Sequence, residues 1–252
     1  MAPNPSPYTG PGTNTWVLGD QPALIVIDPG PDNDQHLAAI ERALKGRPVG
    51  AILVTHSHSD HLPLAAKLAR RSQARVSRYP ELADGDLVRT GGMSLTALHT
   101  PGHSADHLCF WLAADRVLFT GDLVLGKGSS MVTYPEGDVA AYLRSLERVA
   151  ALHPRLLFPG HWDPVRAAEA KIEEYRAHRL QRERQVLDEL ERGKGSAEEL
   201  TRRVYAAEVG DSEPLLRAAE MTLLAHLQKL VDEGRVRRSS PGPAEVYELA
   251  AG

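Results

Sequence analysis

Residues 55–61 read Thr55-His56-Ser57-His58-Ser59-Asp60-His61. Three imidazoles and a carboxylate fall within six positions. The apolar run Ala51-Ile52-Leu53-Val54 precedes them, and Leu62-Pro63 opens a helical pattern behind them. A buried strand that ends in such a cluster delivers nitrogen and oxygen donors into one small volume. Neutral imidazole and carboxylate are the donors that zinc and similar divalent ions take. A polar loop that is merely rich in histidine has no reason to sit at the mouth of an apolar strand. The stretch therefore predicts a metal site at a strand end, followed by a helix.

The same punctuation recurs outward from it. Residues 16–18 and 23–27 are short apolar runs split by the hairpin signal Gly19-Asp20-Gln21-Pro22, and the second ends at Asp28. Residues 34–45 carry Leu37, Ile40 and Leu44 at helical spacing, with Asp32, Asn33 or Asp34 as candidate caps. Residues 49–55 form the strand that delivers the cluster, and 64–71 continue as a helix with Pro63 in its first turn. Strands are expected at 75–77, 86–88, 93–98, 107–112, 116–120 and 155–158, and a helix at 138–151. Turn residues such as Thr90-Gly91-Gly92 and Thr100-Pro101-Gly102 separate them. Three more donors stand at later strand ends: His103, Asp122 and His161. Each follows a glycine, which lets the backbone turn tightly beside a ligand. Seven donors suit two ions. Mixed strands and helices with polar residues where strands stop predict an α/β sandwich with one active edge.

From Ala167 the texture changes. Residues 170–190 form a long charged helical stretch, broken at Gly193-Lys194-Gly195. Ser196-Ala197-Glu198-Glu199 has capping-box spacing and starts a second helix. Asp211-Ser212-Glu213-Pro214 opens a third, and 235–239 and 245–249 read as a hairpin across Ser240-Pro241-Gly242-Pro243. Three helices and a hairpin make a winged-helix pattern. The expected division is a catalytic domain at 1–179 and a winged-helix-like domain at 180–252.

Composition sets the outer limits. The 252 residues are 42% apolar and 25% charged, ordinary for a globular chain with a substantial core. A net charge of −4 gives no global field to attract a polyanion. Cys109 is the single cysteine, so neither an intramolecular disulfide nor a thiolate zinc site is available, and its apolar surroundings read as core. No apolar run is long enough to span a bilayer, and 1–11 lack the features of a signal peptide. A cytoplasmic protein with no membrane partner is the expectation.

The ligand pattern resembles the metallo-β-lactamase superfamily, from about Asn14 to His161. The resemblance implies an αββα sandwich in which His56, His58 and His103 bind one metal and Asp60, His61 and His161 the other, with Asp122 bridging. Asp28 matches the family's early strand-end aspartate, which orients a ligand rather than touching the metal; on its own it reads as a turn former. True β-lactamases of the superfamily usually have a cysteine ligand, which argues against antibiotic hydrolysis. RNA-processing members with an inserted cap domain need more chain than 123–160 provides. Glyoxalase-II-type thioesterases share all seven ligands but have a different, helical C-terminal region.

The chain also resembles, over nearly its whole length, the β-lactamase-like protein 2 family of single-strand-selective endoribonucleases. That likeness runs through Gly126-Lys127-Gly128-Ser129-Ser130, past Pro159-Gly160-His161, into Tyr175-Arg176-Ala177-His178-Arg179 and Leu230-Val231-Asp232-Glu233-Gly234. It implies hydrolysis through a metal-bridging hydroxide, with Asp60 orienting the water. Two divalent ions ~3.5 Å apart can serve that chemistry. Zinc suits the nitrogen-and-oxygen donor set, and manganese or iron can occupy it. Lys127, Ser129, Ser130 and Tyr134 are the candidate substrate contacts. The substrate is expected to be single-stranded RNA or, alternatively, a small acyl thioester of glutathione or an acyl carrier. Arg235, Arg237 and Arg238 form a basic wing, but acidic residues balance the basic ones after Arg166. The small domain therefore reads more readily as a packing or homodimer element than as a duplex reader.

Overall fold

The computed structural model describes residues 1–19, 22–90, 92–210, 212–240 and 245–250. The turn expectations at Asp20-Gln21, Gly91, Asp211 and 241–243 lie outside the described residues. Among those residues the order is β1 (Trp16–Leu18), β2 (Leu24–Ile27), α1 (Asp34–Leu44), β3 (Val49–Leu53), α2 (Leu64–Ser72) and β4 (Val76–Ser77). Then come β5 (Leu87–Thr90), β6 (Met93–His99), β7 (Leu108–Leu112), β8 (Val117–Gly121), α3 (Val139–Ala150) and β9 (Leu156–Pro159). The chain continues with α4 (Ala168–Arg192), α5 (Ala197–Val209), α6 (Glu213–Asp232), β10 (Val236–Ser239) and β11 (Val246–Leu249). Chain contacts divide these into two compact units. One comprises Met1–Pro101, Asp106–Ser130 and Ser145–Glu173, and the other Gly102–Ala105, Met131–Arg144 and Glu174–Gly252.

The first unit holds two sheets, ordered β1-β2-β3-β4 and β5-β6-β7-β8-β9. In the first sheet β2, β3 and β4 pair in parallel, and a parallel strand is buried on both faces. That is why Leu24-Ile25-Val26-Ile27 is apolar throughout rather than alternating. Leu24 and Val26, with Ile52 and Val54, face Leu37, Ile40 and Leu44 of α1 and Leu64, Ala65 and Leu68 of α2. Ile25 and Ile27, with Leu53, face the second sheet and pack with Leu95, Ala97, Leu108, Phe110 and Phe119. Each such fully buried side chain contributes about 1.5–3 kcal/mol over exposure. Asn33 is the residue that caps α1, its side chain accepting from the His36 N–H at 2.9 Å.

The second sheet is a meander from β5 to β8, and β9 adds in parallel to β8. Strands β6, β8 and β9 therefore run the same way and release the chain at one edge. The Thr55 carbonyl accepts from the Leu108 N–H at 2.7 Å, which ties the end of β3 to the second sheet at that edge. Cys109 is fully buried in β7, and burial pushes its thiol up to about 12, as inert as its apolar neighbours imply.

The second unit has its own core. Val186 and Leu190 from α4 pack with Leu200 and Tyr205 of α5, with Leu223, Leu227 and Leu230 of α6, and with Val236 and Tyr247 of the β10–β11 hairpin. The capping box is present: the Ser196 hydroxyl accepts from the Glu199 N–H, and the Glu199 carboxylate accepts from the Ser196 N–H. Buried Glu183 is answered by Lys229 and Arg235, both at 2.6 Å. His226 is fully buried in α6, and among the described residues neither of its ring nitrogens has a hydrogen-bond partner. No helix among the described residues is long and apolar enough to cross a membrane.

Candidate metal centre

Five strand ends supply the residues. Asp28 follows β2, the 55–61 cluster follows β3, His103 lies between β6 and β7, Asp122 follows β8 and His161 follows β9. Three groups of donors converge, each with its ligand atoms within 4.8 Å of one another. They are His56, His58 and His103; His56, His61 and Asp122; and Asp60, His61 and His161. All seven donors read from the sequence are brought together. Asp122 turns Oδ1 toward His61 Nε2 at 3.5 Å and Oδ2 toward His161 Nε2 at 3.3 Å.

The rings are aimed by groups outside the donor set. A carboxylate only accepts, so Thr55, whose hydroxyl lies 2.7 Å from Asp28 Oδ2, must direct its proton there. His56 Nδ1, 3.0 Å from the same hydroxyl, then donates to it and leaves the Nε2 lone pair for the site. His61 Nδ1 donates to Asp28 Oδ2 at 2.9 Å, and His103 Nδ1 donates to the Met131 carbonyl at 2.6 Å. Asp28 is thus buried beside the donors, holding His61 and Thr55 and accepting the Thr55 N–H on Oδ1 at 2.7 Å. Such partners fix the tautomer and raise the basicity of a ligand.

His107 is not a donor to the site. It is fully buried, and its Nε2 accepts the Asp122 N–H at 3.1 Å while Nδ1 meets the Thr100 hydroxyl at 2.9 Å. It therefore fixes the backbone from which Asp122 projects. Gly160 makes the close packing possible: a Cβ there would fall 2.3 Å from Asp122 Oδ1 and 2.8 Å from His61 Cε1.

Ionised carboxylates among imidazoles make a donor set that suits a cation. Burial disfavours charge at Asp60, yet the imidazoles of His161 and His61, each 3.3 Å from its Oδ2, outweigh it and hold the carboxyl well below the usual range. At Asp122, too, burial is outweighed, by the imidazoles of His61 and His161, and the carboxyl stays ionised. Burial likewise opposes charge on His161, but the Asp122 carboxylate carries its pKa up to about 9. His61 Nε2 is buried with no hydrogen-bond partner, 3.3 Å from Asp60 Oδ2. An orphaned ring nitrogen between two ionised carboxylates is the environment that a divalent ion completes, and nitrogen and oxygen donors fit one.

The candidate substrate contacts fall in different settings. Lys127 and Ser129 are exposed on the segment after Asp122, whereas Ser130 is buried and donates to the Asp122 carbonyl. Tyr134 is exposed and, with Asp138, Arg144, Gln228 and Lys229, lines a recess of about 440 Å³ in the second unit. The basic wing is partly engaged within its own domain. Arg235 is committed to Glu183, and Arg238 lies 3.8 Å from Glu245. Of the groups that aim the donors, Asp28 is the one that the family resemblance implies, whereas Thr55 was hidden. A threonine at a strand end carries no signal until its tertiary partners are known.

Residues 8–85 and 79–161 match the model of the metallo-beta-lactamase superfamily, and 196–242 match that of the beta-lactamase associated winged helix domain. The chain is similar to a beta-lactamase-like protein 2 homolog of Drosophila melanogaster, 32% identical over 97% of this chain and 90% of that one. It is also similar to an atrochrysone carboxyl ACP thioesterase of Emericella nidulans, 31% identical over 90% of this chain and 76% of the relative. Among solved structures, a metallo-beta-lactamase family protein of Thermus thermophilus superposes with a TM-score of 0.79. It is 26% identical, with 94% of this chain and 93% of that one covered.

Proposed function

The chain belongs to the metallo-β-lactamase superfamily, with the associated winged helix following in sequence, and from that premise we propose that this metal-dependent hydrolase is an endoribonuclease cutting phosphodiester bonds of single-stranded RNA. The observation that carries the reading is the extent of the likeness to the beta-lactamase-like protein 2 homolog. It takes in nearly the whole of both chains, winged helix included. The seven donors are compatible with a two-ion hydrolase. His56, His58 and His103 would hold one ion and Asp60, His61 and His161 the other, with Asp122 reaching both. Ions held there would activate water and offset charge on the attacked and leaving oxygens.

The chain's own groups do the rest. Asp60 would accept a hydrogen bond from the attacking water and so orient it, the role that the family likeness implies. Lys127 and Ser129, exposed just after Asp122, would meet the phosphate. Buried His107 and Ser130 keep Asp122 in place from its N–H and its carbonyl.

A thioester is the second reading, favoured by the acyl-carrier thioesterase among the relatives. The donor set serves attack at a carbonyl carbon as readily as at phosphorus. Metal-loaded protein offered labelled single-stranded RNA and, separately, a panel of acyl thioesters will decide. Internal cleavage of the RNA is expected. Intact RNA alongside thioester turnover would replace the first reading with the second.

A further inference from the structure

We propose that Thr13 is a positioning residue for the second ion of this centre, through a hydroxyl bonded to Asp60. The inference rests on the two-ion reading above and extends it to a residue outside the seven donors. Thr13 is fully buried, and its Oγ1 lies 2.8 Å from Asp60 Oδ2. The same Oδ2 faces His61 Nε2 and His161 Nε2, each at 3.3 Å, so it is the Asp60 oxygen turned toward the donors.

The direction of the Thr13 proton follows from its other partners. The Thr13 N–H donates to Asn4 Oδ1 at 3.0 Å, and this backbone donor settles which end of the Asn4 amide is oxygen. Asn4 Nδ2 must then donate to Thr13 Oγ1, at 3.0 Å. With one lone pair taken by that bond, Oγ1 points its own proton at Asp60, which can only accept. One Oδ2 lone pair is thereby occupied by the Thr13 hydroxyl. The other is left aimed at the space that His61 and His161 face. A carboxylate free to rotate would have to be ordered each time an ion bound, whereas this one is held in advance.

The strand-like stretch around Thr13 grips the other donor as well. Thr13 bridges to His161, and the Asn14 N–H donates to the Gly160 carbonyl at 2.7 Å. The His161 Nδ1 donates to the Gly12 carbonyl at 3.2 Å, which leaves Nε2 for the ion. Gly12 has φ +140°, and a Cβ there would lie 2.1 Å from the Ala2 carbonyl oxygen, so only glycine lets the segment run so close. Two of the three donors to one ion are thus aimed by residues 12 and 13, whereas the Nδ1 atoms of His56 and His103 answer to Thr55 and Met131. The asymmetry makes the segment specific to one ion.

The test uses the full-length protein, stripped and titrated with Zn²⁺ against a chromophoric chelator, which reads both affinities without reference to catalysis. Wild type is expected to take up two ions; uptake of one would overturn the two-ion reading and this proposal with it. Thr13→Val keeps the shape and removes the donor. It should weaken one of the two affinities by ~10–100-fold, the usual effect of losing a group that orients a ligand, and leave the other within a few-fold. Thr13→Ser, which restores the hydroxyl, should recover most of the loss. Two tight ions in Thr13→Val, equal weakening of both sites, or no recovery in Thr13→Ser would each overturn the positioning role while leaving the two-ion reading standing. Far-UV circular dichroism and the thermal midpoint of the metal-free variants are expected to match wild type. A collapse of either in Thr13→Val but not Thr13→Ser, with the Asn4→Ala variant binding both ions as wild type does, would also count against it.

Discussion

At Asp28 one carboxylate answers three donors: the Thr55 N–H, the Thr55 hydroxyl and His61 Nδ1. It does so from φ +50°, a left-handed conformation that Asp and Asn tolerate better than other side chains. Asp28→Asn therefore leaves the backbone undisturbed and replaces one acceptor oxygen with an NH₂ that cannot accept. Metal affinity is expected to fall by ~10–100-fold, read by chelator competition. His36 makes a separate, acid-sensitive contribution. Burial is the main cause that brings its pKa down to about 4, with the positive N-terminus adding to it, and the Thr15 hydroxyl lies 2.7 Å from its Nε2. The unfolded imidazole titrates near 6.5, so between those values the unfolded chain binds the extra proton. Stability from a neutral His36 is full above about pH 6.5 and is lost as pH falls toward 4, by at most about 3 kcal/mol. Denaturant melts across that window should show a shallower pH slope in His36→Gln than in wild type.

The elements were largely legible because their signals are local. The apolar run of 51–54 and the stripe of Leu37, Ile40 and Leu44 each report burial directly, and the capping box at Ser196 is formed as its spacing implied. Boundaries were less so. Helix α4 runs Ala168–Arg192, beyond both ends of the expected stretch, because its charged residues are good helix formers without marking where the helix stops. The residues that converge stood at strand ends, three of them directly after a glycine, so their convergence was legible. Apart from Asp28, which the family resemblance implied, their orienting groups were not, since Thr13 meets Asp60 across 47 residues and Thr55 meets Asp28 across 27. At this scale, Ser196→Ala removes the side-chain acceptor for the Glu199 N–H. It should cost about 1 kcal/mol in denaturant-induced unfolding, with Ser196→Thr close to neutral.

For the molecule as a whole, the donor set exists only in the folded state, because it is gathered from chain positions between 56 and 161. An ion that binds the fold and not the coil stabilises it by about 2.7 kcal/mol at a free concentration one hundred times its Kd. Loading with Zn²⁺ should raise the thermal midpoint, and a chelator should lower it and abolish hydrolysis together. Asp122→Asn, which weakens the group that faces both His61 and His161, should lose most of that zinc-dependent rise.

The unpartnered His226 gives the winged helix a handle of its own. A buried imidazole without hydrogen bonds costs about 1–3 kcal/mol relative to a satisfied one, and an apolar side chain of similar size carries no such penalty. His226→Leu should therefore make the C-terminal module harder to melt than nature left it. Zinc loading is directed at the donor set at the sandwich edge, whereas this substitution acts inside α6, whose other buried residues pack with α4 and α5. If heating resolves two transitions, the pair of perturbations serves as a label for each. Zinc should move one and His226→Leu the other, in a differential scan that needs no fluorophore and no truncation.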